Sequence, residues 1–272
     1  VAARVSLMTQ TPLLLAGDFT PPTKADWERE VLKVLNRGRP EGKELTIEAA
    51  MARLRTTTVD GLTIEPLYTS SDVPLGLPGA MPFTRGTGFK TSPATYWDVR
   101  ALHEDPDAEF THAQVLADLQ RGATSLWLRI GADAIAADDL VAILDGVEPD
   151  LAPISVSSTD DQLGAARALV AFFKASGAAN ARGNLGLDAL ALAARTGEAP
   201  DLGAQAEWVQ ASLAELPGVR ALTVDVLPYD NAGASDVDQV AFAIATGVAY
   251  LRDLEAAGIS PSHAFSQILF RV

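Results

Sequence analysis

The second half of this 272-residue chain alternates two hydrophobic periods, and that alternation limits the possible folds more than any single motif does. From residue 111 onward, short β-rich runs at 125–130, 154–156, 185–187, 221–226 and 268–272 are separated by stretches with apolar residues three and four apart. Leu140, Val141 and Leu144 make a short helical stripe. Leu163, Ala166, Val170 and Phe173 make a second, and Val209, Ser212, Leu213 and Leu216 a third. The longest is Val237, Val240, Ala241, Ile244, Val248 and Leu251, which Gly258 ends. Thr111-His112-Ala113-Gln114 and Thr159-Asp160-Asp161-Gln162 read as capping boxes, the first opening a helix that stops at Gly122. Ser235 with Asp238 reads as a cap with an acidic first turn, and Ser260-Pro261 as a cap followed by a first-turn proline.

Strand and amphipathic helix recurring at roughly 30-residue spacing mean βαβ units and a parallel sheet. Open doubly wound sheets and closed barrels both give this pattern, though no glycine fingerprint follows an early strand, which weakens the dinucleotide-binding version. Five strands after residue 111 fall short of the eight a closed barrel needs. An incomplete barrel leaves strand edges open to pairing with other chains.

Residues 1–110 have a different texture, with most of the prolines and few long periodic segments. A helix is expected over 25–35, with Trp27, Val31, Val34 and Leu35 on one face, and another over 47–54 behind the cap Thr46. Residues 57–64 read as a hairpin around Asp60-Gly61. The remainder, through Pro93, is extended. Such an arm has little core of its own and is expected to lie against another surface, either the sheet region or a partner.

Composition excludes several classes. No apolar run approaches the ~20 residues of a membrane span, and Leu13-Leu14-Leu15 is too short and too soon followed by Asp18 for a secretory signal. The chain has no cysteine, so it carries no disulfide and no thiolate chemistry, and a cytoplasmic location is the simple expectation. A formal charge of −14 argues against nucleic-acid backbone binding, although Lys33, Arg37, Arg39 and Lys43 cluster at the end of an early helix. That cluster suits a solvated helix end or an acidic partner.

Several residues could carry chemistry. The Pro- and Gly-rich run 77–86 is confined to a loop that delivers Arg85 beside the hydroxyl of Thr84 and the bare backbone of Gly86. A fixed charge there suits a phosphate or carboxylate, and an ordinary surface loop has the same residues. Asp225, Tyr229, Asp230 and Asn231 follow the clearest strand, at the end where barrel enzymes place catalytic groups; two carboxylates and a phenol there could do acid–base work, or simply form the turn into the next helix. Ser155, Ser157, Ser158 and Thr159 end another strand and could bond a ligand or cap a loop. His103, His112 and His263 have no metal-ligand spacing to one another and read as structural, and Trp127 and Trp208 read as core. No Gly-x-Ser-x-Gly nucleophile motif, Walker loop or histidine–carboxylate metal motif is present.

Leu77-Pro78-Gly79-Ala80-Met81-Pro82-Phe83-Thr84-Arg85-Gly86 followed by Trp97-Asp98-Val99-Arg100 resembles the entry to the barrel of the methylmalonyl-CoA mutase family. Leu15-Ala16-Gly17-Asp18-Phe19, Trp27-Glu28-Arg29-Glu30-Val31, Leu35-Asn36-Arg37-Gly38-Arg39-Pro40 and Leu102-His103-Glu104-Asp105-Pro106-Asp107 resemble the small, non-catalytic subunit of its bacterial heterodimers in particular. The resemblance implies a (β/α)8 TIM-type barrel, incomplete in this chain, over residues 111–272. It also implies a subunit-contacting arm over 1–110, and no Asp-x-His-x-x-Gly cobalamin-binding segment occurs here. It further implies a large-subunit partner that holds adenosylcobalamin and interconverts (R)-methylmalonyl-CoA and succinyl-CoA, with no cofactor on this chain. In that alignment Ser92 replaces the family's tyrosine, Gly186 stands near its substrate-facing glutamine and Gly203 near its carboxylate-clamping arginine. Leu227-Pro228 replaces its Tyr-His pair. Thr84 and Arg85 remain as substrate-binding candidates. The other readings are an independent barrel enzyme using Asp225, Tyr229 and Asp230, and a module that binds CoA thioesters without catalysis.

Overall fold

The computed structural model describes residues 17, 19–69, 76–86 and 97–271. The chain divides into two compact units, residues 1–88 and 89–272.

In the first unit, helix α1 (Lys24–Leu35) opens with a capping box between Thr23 and Asp26, and α2 (Ile47–Leu54) is capped by Thr46. The Asn36 side chain ties the two together, donating to the Leu45 carbonyl and accepting from its N–H. The hairpin pairs β1 (Thr56–Thr57) with β2 (Thr63–Ile64), and Gly61 takes the positive φ its turn requires. Among the described residues of this unit the buried apolar side chains are Ala50 and Met51, while Phe19, Val59 and Met81 are almost wholly exposed. The expected shortage of core is thus observed.

The second unit is a six-stranded, wholly parallel sheet: β3 (Arg100–His103), β4 (Ser125–Arg129), β5 (Ile154–Ser157), β6 (Gly183–Leu187), β7 (Val219–Asp225) and β8 (Ile268–Arg271). The strands lie side by side in chain order, without the reversal that marks a doubly wound sheet. Five follow residue 111 as expected. The sixth, β3, is too short and too polar at Arg100 and His103 to show a strand pattern, and it lies before that boundary.

Between the strands come α3 (Ala108–Gln120), α4 (Leu140–Ile143), α5 (Gln162–Ser176), α6 (Ala189–Thr196), α7 (Leu202–Glu215), α8 (Leu227–Asn231), α9 (Asp236–Ala256) and α10 (Pro261–Ser266). Two expected starts are corrected. Helix α3 begins behind Asp107, whose carboxylate accepts from Phe110 N–H, while Thr111 is buried with its hydroxyl donating to Asp105 O. Helix α5 begins behind Asp161 rather than Thr159, because Asp160 is occupied by Ser158 and Ala132. Its buried face is Ala165, Ala166, Leu169, Phe172 and Phe173, turned from the expected stripe, since the segment is apolar on most sides. The caps at Ser235 and Ser260 are observed as expected. Helix α6 gave no expected element; at eight residues it is too short to show a sustained period.

The pleat sorts the strand residues by face. Leu126, Leu128, Ile154, Val156, Leu185, Leu187, Leu222 and Val224 pack with Val115, Leu169, Phe173, Val209, Tyr250 and Leu254 of the helices into one apolar core. The alternate positions carry Trp127 and Arg129, Ser155 and Ser157, Asn184, Thr223 and Asp225, and Leu269 and Arg271. A packed barrel interior is built from bulky branched residues; this face is polar. No helix among the described residues is long and apolar enough to cross a membrane.

Candidate functional site

The polar face bounds a cavity of about 580 Å³ that opens at the carboxyl ends of the strands. Each strand delivers its last inward residue there, which is why charged side chains placed at strand ends converge. Arg129 closes β4; its Nε donates to Glu104 Oε2 at 2.7 Å and its Nη1 to Asp133 Oδ1 at 2.9 Å. The Glu104 hydrogen bond is the main influence raising the Arg129 pKa. Arg271 closes β8. Its guanidinium lies 4.2 Å from the centroid of the Trp127 ring, and its Nη1 donates to Asp225 Oδ2 at 3.3 Å. Arg195 of α6 approaches the same oxygen at 3.9 Å. Burial pushes the Arg271 pKa down, Asp225 opposes that shift and Arg195 adds to it.

Deeper in the site, Asn184 makes three hydrogen bonds through its side chain. Its Nδ2 donates to Leu222 O, and its Oδ1 accepts from Thr223 Oγ1 at 2.7 Å and from Gly186 N at 2.6 Å. Trp127 Nε1 donates to Ser157 Oγ at 2.8 Å. Asp188, 2% exposed, accepts from the Tyr250 hydroxyl, from Ala191 N and from Asp225 N. Burial pushes its carboxyl up to about 6, against the pull of those hydrogen bonds. Ser155 is 4% exposed, and its hydroxyl has no hydrogen-bond partner among the described residues.

The residues singled out in the sequence fare unequally. Asp225 lines the cavity, but Tyr229 packs at a tilt against Phe242 with ring centroids 4.9 Å apart, and Asp230 accepts from Gln239 Nε2 at 2.9 Å. Tyr229 and Asp230 are not among the residues of the cavity wall, because the short helix α8 turns them toward α9. The acid–base constellation of Asp225, Tyr229 and Asp230 is therefore not assembled. Trp127, expected in the core, is instead a wall of the cavity, and Trp208 packs at the core edge. Ser155, Ser157, Ser158 and Thr159 do reach the cavity.

Gly186 lines it too, in a left-handed conformation at φ +72°, where the register between β6 and β7 slips. Gly203 is exposed in the first turn of α7 and is not part of the wall. Leu227 presents an aliphatic side chain to the cavity, and Pro228 follows it in the first turn of α8. Ser92 lies outside the described residues.

Thr84 and Arg85 belong to the first unit. There Gly79 N–H donates to Gly86 O across the base of the loop, and Arg85 Nη1 approaches Gly76 O at 3.5 Å. The histidines are scattered: His103 is buried 3.6 Å from Asp118, His112 Nδ1 meets Ile143 O, and His263 sits in the first turn of α10. None lines the cavity, and no hydroxyl of its wall has an imidazole to activate it. The described residues contain no cluster of three or more metal-binding side chains.

Sequence reasoning missed Arg129, Arg195, Arg271, Asp188 and Tyr250. The usable signal was a charged residue closing an apolar strand, as in Ser125–Arg129 and Ile268–Arg271. Tyr250 looks like any other helix-face aromatic until its hydroxyl is seen on Asp188.

Comparison with known proteins accords with this architecture. The profile of the methylmalonyl-CoA mutase family matches residues 57–134 and 129–272. The chain is 47% identical over 269 residues to the methylmalonyl-CoA mutase small subunit of Propionibacterium freudenreichii subsp. shermanii, covering 97% of this chain and 42% of that protein. It is 40% identical over 272 residues to the small subunit of Streptomyces virginiae, covering 98% and 44%. A probable small subunit from Mycobacterium bovis is 33% identical over 252 residues, covering 90% and 41%. The chain thus spans about two fifths of the length of the curated relatives it matches. By sequence and by its parallel α/β sheet, the chain belongs to the methylmalonyl-CoA mutase family.

Proposed function

We propose that this chain is the amino-terminal, barrel-forming part of a non-catalytic methylmalonyl-CoA mutase small subunit. In this reading its large-subunit partner interconverts (R)-methylmalonyl-CoA and succinyl-CoA, and this chain stabilises or regulates that partner. The observation that carries the reading is Gly186, near the family's substrate-facing glutamine. A Cβ added there would lie 2.2 Å from the Val156 carbonyl oxygen, so this backbone leaves no room for a side chain. Leu227 and Pro228 point the same way, because neither can donate or relay the protons of a Tyr-His pair.

Adenosylcobalamin supplies the radical chemistry in this family, and the described residues do not fit it. Among the described residues none of the three histidines faces the cavity, so none supplies an imidazole to a cobalt centre there. The cofactor is accordingly assigned to the large subunit.

The six strands in chain order support a barrel whose remaining strands come from outside these residues. The exposed Phe19, Val59 and Met81 support the arm as the surface that meets the partner. The charge of −14 supports a subunit that avoids nucleic acid and anionic membrane surfaces, and a cytoplasmic location is part of the same proposal. A turnover assay tests the reading: the large subunit with adenosylcobalamin should be more active or longer-lived when this subunit is added. This subunit alone should turn over nothing, even as the Leu227→Tyr, Pro228→His double variant. Turnover by that variant would overturn the claim that the loss of catalytic groups is broad, and turnover by the unmodified subunit alone would overturn the non-catalytic assignment.

A further inference from the structure

In the proposed reading the cavity lacks the family's catalytic groups, yet its walls carry charges that are only partly neutralised. In a chain of net charge −14, four arginines line it: Arg100, Arg129, Arg195 and Arg271. Arg100 bonds the Ser125 hydroxyl and stands near Asp98, and Arg129 has Glu104 and Asp133. Arg195 and Arg271 differ. They share a single carboxylate oxygen, Asp225 Oδ2, at 3.9 and 3.3 Å, while the other oxygen of Asp225 accepts from Leu227 N. Arg195 makes no hydrogen bond among the described residues, so nearly all of its N–H donors are unused. The one further carboxylate on the wall, Asp188, is turned to Tyr250 and to backbone amides.

The second observation is independent of the arginines. The Ser155 hydroxyl is buried on the same wall and unpartnered among the described residues, which folding alone does not favour, since a buried donor without an acceptor is destabilising. Its neighbours Ser157 and Asn184 are both bonded. An under-neutralised guanidinium pair and an orphan hydroxyl facing one polar cavity describe a ligand with a carboxylate at one end and an acceptor oxygen at the other.

We propose that this cavity binds a small organic acid, its carboxylate seated between Arg195 and Arg271 and a second oxygen accepting from Ser155. Planar guanidinium forks match a carboxylate in geometry as well as charge, and the stack of Arg271 on Trp127 holds one fork in place. The site goes beyond the subunit assignment and does not depend on it.

Calorimetric titration of the protein as isolated provides the test, with glutarate as probe, glutaramide as its neutral isostere and inorganic phosphate as a non-carboxylate anion. Glutarate should bind and glutaramide should not. Arg195→Gln should weaken binding at least ~10-fold, as expected for a charge-assisted hydrogen bond. Ser155→Ala should weaken it about 5-fold without lowering the melting temperature, and should raise that temperature if anything, since that hydroxyl bonds nothing among the described residues. Absence of glutarate binding, or equal binding by Arg195→Gln, would overturn the proposal. Phosphate binding without glutarate binding would overturn the carboxylate class. Loss of binding in Ser155→Ala together with a lowered melting temperature would reassign Ser155 to packing.

Discussion

A Cβ built on Gly186 would lie 2.2 Å from the carbonyl oxygen of Val156, across the pair β5 and β6. Gly186 also holds φ at +72°, so both the backbone and its neighbour require glycine. Gly186→Ala should cost about 3 kcal/mol, from left-handed strain plus overpacking. Gly197→Ala supplies the comparison: its φ is +75°, but a Cβ there meets nothing within 4 Å. It should cost only about 1 kcal/mol. Urea denaturation of the two variants measures the difference; equal losses would mean that the sheet opens easily at Gly186.

Asp188 makes stability depend on pH. Burial holds its carboxyl at about 6, above the ~3.9 of an unfolded chain. The native state therefore binds this proton more tightly, and the stability it brings is full below about pH 4 and lost as pH rises through about 6. The whole contribution is up to about 3 kcal/mol. His103 works in the opposite sense: burial pushes its imidazole down against the pull of Asp118, so its contribution is lost as pH falls. The difference between wild type and Asp188→Asn, measured by urea unfolding from about pH 4 to 7, isolates Asp188. The wild type should lose stability relative to the variant across that range.

Tyr250 anchors the same network. Its hydroxyl donates to Asp188 and accepts from Leu190 N at 3.0 Å, joining α9 to the start of α6. Tyr250→Phe should cost about 2 kcal/mol by leaving a buried carboxylate and an amide short of partners. The carboxyl of Asp188 should rise further, which carbon-detected NMR titration of that side chain would show.

Helix α3 offers a test of its own boundary. Asp107→Ala should destabilise the protein by about 1 kcal/mol, as expected for loss of an N-cap, while Thr111→Val should cost the separate hydrogen bond to Asp105 O. Thermal unfolding of each variant separates the two roles.

Much of the sheet was legible because its strands are β-rich and its helices start at polar caps. Ser235 and Ser260 cap where expected, and five of the six strands carry a readable run. Strand β3 was not legible, because its four residues include Arg100 and His103, and what makes it a strand is pairing with β4. Asp107 hid behind Thr111, since both fit a cap and only the fold decides which faces the first turn. At the site, Asp225 and the serines were visible as strand-end polar residues. The sharing of Asp225 by Arg195 and Arg271 was not, because α6 and β8 are 72 residues apart between Thr196 and Ile268 and meet only in the folded sheet. Gly186 showed a missing side chain, while the reason for the glycine lies in the Val156 carbonyl of the neighbouring strand.

The central claim is that this chain serves a catalytic partner rather than catalysing on its own, and the mass of the complex tests it most directly. Light scattering of the chain alone and mixed with a methylmalonyl-CoA mutase large subunit should give a one-to-one complex, lost when Phe19, Val59 and Met81 are replaced by serine. A chain that keeps its own mass in the mixture, at concentrations where it remains folded, would contradict the account.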